Sequence, residues 1–164
     1  MKGLDYTAVH VRKLLSLNRS ELQRWLAVLP PFCDVATQVR SARVFTMRDL
    51  AFFSAVAVLQ KQLDLPIRKV SEFSVELHAR ISATAALSDR GARIYLNRDG
   101  TGGWRVAGEP AGTVSLSLDP ASLWVAVYRF VGIDTAPTQR ELPLGLVSIP
   151  PRLNEEPVRG HRTR

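Results

Sequence analysis

A single cysteine, Cys33, stands in the 164 residues, so no disulfide can form within the chain. One cysteine and three scattered histidines (His10, His78, His161) also offer no metal-ligand spacing. No apolar run reaches the ~18 residues that a membrane span needs. The longest, around Ala51 to Leu59, is bracketed by Asp49 and Lys61. The opening Met1-Lys2-Gly3-Leu4-Asp5 has no apolar signal core. Paired carboxylates and a nucleophile beside a base are missing as well, which makes an enzyme the least favoured class and leaves no cofactor or metal to expect. The Gly100 to Gly103 cluster lacks the Lys-Ser/Thr that completes a phosphate loop, and reads as a hairpin turn. These absences together lead to the expectation of a cytoplasmic protein that makes no use of a membrane.

What the chain does have is positive charge. Lys and Arg number 22 against 15 Asp and Glu, a formal net charge of +7 with a sequence pI near 10.3, and this favours a polyanionic partner. The imbalance is concentrated at one end. Residues 1–82 hold 12 basic against 7 acidic side chains, whereas residues 83–164 hold 10 against 8.

Thr7 can cap a helix over about 8–15, with Ala8, Val11, Leu14 and Leu15 on one face. Asn18 followed at the third position by Glu21 forms a capping box, so a second helix begins at Arg19. Its apolar face holds Leu22, Trp25, Leu26 and Leu29, which leaves Arg19, Ser20, Gln23 and Arg24 facing outward. Two short helices joined by Ser16, Leu17 and Asn18 form a helix-turn-helix. The exposed residue types of the second helix suit DNA: arginine for guanine, glutamine for adenine, serine for phosphate.

Pro30-Pro31 stops that helix. Residues 32–45 then suit a two-stranded wing that lays Arg40 and Arg43 beside the phosphate backbone. Thr46 with Asp49 repeats the capping logic and predicts a third, broadly apolar helix over about 47–63. Pro66 opens a fourth, over about 66–82, along which Ile67, Val70, Phe73, Ser74, Leu77 and Ile81 recur. Trp25 is expected in the core, and His78 on the surface of the fourth helix.

This order resembles the DNA-binding domain of the MerR family and its excisionase and phage-regulator relatives. The likeness rests on the short helix ending in Gln23-Arg24-Trp25, the arginine-bearing segment closing on Val44-Phe45, Met47-Arg48-Asp49-Leu50, and Leu63-Asp64-Leu65-Pro66-Ile67. It covers about residues 5–81. The resemblance implies a winged helix-turn-helix of four helices, in which the second helix enters the major groove and the wing contacts backbone. Carried over, Arg19, Ser20, Gln23 and Arg24 match the groove helix, and Arg40 and Arg43 match the wing. The chain departs from the family in lacking a long dimerising heptad helix after Ile81 and sensor cysteines.

Residues 83–91 lose the apolar period and read as a linker. A hairpin follows, from Ala92 to Arg98 and back through Trp104 to Ala107. A third strand, Val114 to Leu118, has Val114, Leu116 and Leu118 inward. Asp119-Pro120 starts a helix through Leu123, Trp124, Val127, Tyr128 and Val131 that exits at Gly132, with a strand over the same residues as the competing reading. Residues 133–164 carry five of the ten prolines and a basic end, and read as an extended tail.

The fold class expected is therefore α+β, with domains at 1–82 and 92–132. The function expected is sequence-specific binding of double-stranded DNA in transcriptional regulation, by a homo-oligomer joined through its C-terminal half. Two alternatives are an architectural DNA-bending protein of the excisionase type, and a protein-interaction module that keeps the helix-turn-helix as scaffold.

Overall fold

The computed structural model describes residues 5–33, 43–84, 92–112 and 114–133. Among them the chain is α+β: six helices and two small antiparallel sheets. The first sheet pairs β1 (Tyr6–Thr7) with β2 (Val44–Phe45), Tyr6 opposite Phe45. Between them come α1 (Ala8–Leu15) and α2 (Arg19–Val28). After β2 follow α3 (Met47–Gln62), α4 (Ile67–Ser71) and α5 (Ser74–Ala83). The second sheet holds β3 (Ile94–Arg98), β4 (Trp104–Ala107) and β5 (Ser115–Leu118) in the order β4-β3-β5, and α6 (Pro120–Phe130) closes the described chain.

Three helix starts follow from local chemistry. At α2 the Asn18 side chain accepts from the Glu21 amide, and the Glu21 carboxylate accepts in return from the Asn18 amide, both at 2.8 Å. At α3 the Asp49 carboxylate accepts from the Thr46 amide at 2.7 Å and from the Thr46 hydroxyl at 2.9 Å. At α6 Asp119 accepts from the Ala121 amide, with Pro120 in the first turn. The strand alternative for this last segment is thereby displaced, and Gly132 leaves the helix at φ 79°, as its place in the sequence anticipates.

The core centres on α3. Every residue from Leu50 to Val56 is buried, which is the mark of a helix packed on more than one side. Elements α1, α4, α5 and α6 all lie against it. Leu123, Trp124 and Val127 of α6 join the same apolar cluster as Val11, Trp25 and Phe53. The C-terminal half thus shares its interior with the N-terminal half.

Val44–Phe45 has a ladder partner before α1, in Tyr6–Thr7; the rest of the expected wing, residues 34–42 with Arg40, lies outside the described residues. Three expectations need correction. The fourth helix is two, because Phe73 leaves helical space (φ −124°, ψ 11°) to bury its ring, and the turn before it tightens to Glu72 N–H on Lys69 O and Phe73 N–H on Val70 O. Five helices therefore precede the second sheet among the described residues. Val114 is exposed, as is its cross-strand neighbour Arg98, whose amide donates to Val114 O, so that end of β5 does not turn inward among the described residues.

His78 is the third correction. Its side chain is only 23% exposed, its Nε2 lies 2.8 Å from Asp49 Oδ1, and its ring meets Phe32 and Phe52 edge-on. Burial alone raises the Asp49 carboxyl, but the hydrogen bonds from His78 and from the Thr46 amide and hydroxyl outweigh it and hold the carboxyl below its ordinary 3.8. A carboxyl depressed in the folded state stabilises above its unfolded value and loses that contribution as pH falls through the folded one. Asp49→Ala is expected to cost about 2 kcal/mol at neutral pH, and to flatten the stability loss that begins as pH drops below 3.8. Urea melts of both proteins at several pH values check this; an unchanged acid profile in the variant would refute the pairing.

In the second sheet, Asp99 organises the β3–β4 turn. Its carboxylate accepts from the Thr101 amide and hydroxyl and from the Gly103 amide, while Gly102 takes φ 87°. The glycines here serve the turn, as the sequence indicates.

Candidate nucleic-acid interface

The turn between α1 and α2 sets the surface. Ser16 adopts a left-handed φ of 52°, the Leu17 amide donates to Arg12 O at 3.1 Å, and Leu17 is buried. Arg12 Nε returns toward Leu17 O at 3.4 Å, and Lys61 Nζ on α3 donates to Leu15 O at 3.0 Å. Beyond the turn, Leu22, Trp25 and Leu29 anchor α2 in the core. Trp25 stacks on Phe53 with centroids 6.5 Å apart, so its assignment to the interior holds.

Anchoring that face exposes the other. Arg19, Ser20, Gln23 and Arg24 are all exposed, and Arg43 is half-buried. Arg19, Gln23 and Arg43 line a single cleft of about 480 Å³ together with Arg12, Ala8, Val9, Leu22 and Leu26. A smaller cleft of about 250 Å³ continues past Gln23, Leu26 and Arg43 to Ala27 and Cys33. Among the described residues neither is lined by a carboxylate. Ser20 and Arg24 do not line either one; they stand on the neighbouring strip of α2, open to solvent.

The arrangement gathers three arginines and one glutamine around apolar Ala8, Val9, Leu22 and Leu26. Arginine matches phosphate and guanine, and glutamine matches adenine. Arg12 is the residue that sequence reasoning leaves out of the site. Its signal was present: four residues after Ala8, it shares the side of α1 that carries Ala8, yet only the turn geometry shows that this side meets α2.

No family model, curated protein or solved structure matches the chain. The site therefore stands on its own geometry. Among the described residues no cluster of three His, Cys, Asp or Glu side chains could hold a metal ion, and no helix is long and apolar enough to cross a membrane.

Proposed function

We propose that the protein is a sequence-specific DNA-binding transcriptional regulator of the MerR-like winged helix-turn-helix kind, acting in the cytoplasm. The observation that carries this reading is the convergence of Arg12, Arg19, Gln23 and Arg43 on one cleft beside the groove-facing side of α2, in the more basic half of the chain. Arg19 and Gln23 meet base edges, Arg43 and Arg12 the backbone, and Ser20 and Arg24 widen the contact along the same helix.

A helix of this length reads too few base pairs for useful specificity, so two copies act on paired half-sites. The C-terminal half supplies the contact between copies. Strands β4 and β5 support this, for each stands at an edge of the sheet among the described residues, with one strand partner there.

Selection of bound duplexes from a random pool tests the proposal, using the wild type and an Arg19→Ala, Gln23→Ala, Arg24→Ala triple variant at low and physiological salt. Enrichment of one motif by the wild type alone is expected. If neither protein enriches a motif and binding disappears with salt, the positive charge is non-specific and the regulator reading falls.

A further inference from the structure

We propose that the cleft between α1 and α2 reads an A·T base pair in the major groove, with Gln23 on the adenine and Val9 on the thymine 5-methyl group. This rests on the duplex-DNA reading above and makes Val9 a specificity-determining residue.

Val9 is 65% exposed, the highest exposure among the large exposed hydrophobic residues described. Single exposed apolar side chains are common and ordinarily need no explanation. This one stands in the same cleft as Gln23, with Leu26 as a second apolar wall and Arg12, Arg19 and Arg43 around them. A strongly cationic surface with an aliphatic interior suits a polyanion that carries an apolar group at a defined place.

Base-pair edges narrow the choice. Across the major groove an A·T pair presents the adenine N7 acceptor, the adenine N6 donor, the thymine O4 acceptor and then the 5-methyl group. A glutamine carboxamide satisfies the first two in bidentate fashion, and the methyl of the same pair then lies to one side of it. A G·C pair offers guanine N7 and O6 and the cytosine N4 donor, with no methyl group. Against such a pair the carboxamide loses its bidentate match, and Val9 loses the methyl contact, because cytosine carries only a hydrogen at C5. Of the two pairs, A·T meets both the amide and the apolar wall.

The test uses the full chain and a duplex carrying the motif enriched in the selection experiment. Each thymine is replaced in turn by deoxyuridine, which deletes the methyl group alone, and affinity is read by fluorescence anisotropy. At one thymine per half-site the wild type is expected to weaken about fourfold, the factor for one buried methyl group. Val9→Ser, folded by its urea melt, is expected to bind the thymine and uracil duplexes equally, and Val9→Ile to restore the preference. A wild type indifferent to every uracil, or a Val9→Ser variant that keeps the same thymine preference, overturns the assignment. So does an unchanged DNA affinity in Val9→Ser accompanied by a lower mass in light scattering, which would place a second copy of the chain in the cleft. If no duplex is enriched at all, the DNA reading fails first and this inference goes with it.

Discussion

Replacing Arg12, Arg19 and Arg43 together by alanine is expected to weaken duplex DNA binding by at least about a hundredfold near 0.1 M salt, and to reduce the slope of log affinity against log salt by about two units per bound copy. Each phosphate neutralised by the protein releases roughly one counterion, so the change in slope reports how many phosphates the three arginines engage. A bidentate base contact among the three adds a further penalty confined to the specific site, of about 1–3 kcal/mol. The informative control removes the same charge elsewhere. Arg98, Arg105 and Arg129 are exposed and belong to the C-terminal half, and their triple alanine variant should leave the slope nearly unchanged. Equal slopes in the two variants would mean that net charge, and not the cleft, governs binding. Titrations over a salt series decide between these outcomes.

Phe53→Ala is expected to lower the unfolding free energy by about 3–5 kcal/mol. The ring is fully buried and lies 4.8 Å from Phe32, 5.6 Å from Phe45 and Phe52, and 6.5 Å from Trp25, centroid to centroid. Deleting it removes transfer energy, opens a cavity and breaks several aromatic pairs at once. The cost is a large share of the ~5–15 kcal/mol by which domains are stable. It also falls on the residue that joins Trp25 of α2 to Phe45 of β2, so the cleft should loosen with the core. Urea denaturation reads the effect as a lower midpoint at unchanged slope; a cost below about 1 kcal/mol would contradict the packing. Phe53→Leu, which refills most of the volume, should retain more than half of the stability.

What the residues reveal before folding is mostly what is decided within one turn of chain. Asn18 with Glu21, Thr46 with Asp49 and Asp119 with Pro120 mark helix starts because a cap is satisfied two or three residues away. The outward set on α2 is legible for the same reason, as the complement of Leu22, Trp25 and Leu29. The division between α4 and α5 is not, since no proline or glycine stands there and the apolar period runs on through Phe73. His78 could have been found: Ser74, Leu77, His78 and Ile81 follow the i, i+3, i+4, i+7 pattern of a buried stripe, and reading the histidine by its polarity hid it. Arg12 and Val9 belong to the cleft only through the angle at which the Ser16 turn sets α1 against α2, and that angle comes from tertiary packing. The partner of Val44–Phe45 is likewise a long-range matter, because Tyr6 and Thr7 come from the far side of two helices.

The packing of α6 on α3 changes how the two halves of the chain can be exchanged. Where modules hang on a linker, one can be replaced without disturbing the other. Here the C-terminal half contributes Leu123, Trp124 and Val127 to an interior it does not own alone. A recombinant that swaps in a different C-terminal segment must bring its own apolar cover for that flank of α3 or leave it facing water. Turning one half against the other likewise means separating packed side chains, where a hinge would need only a few backbone rotations.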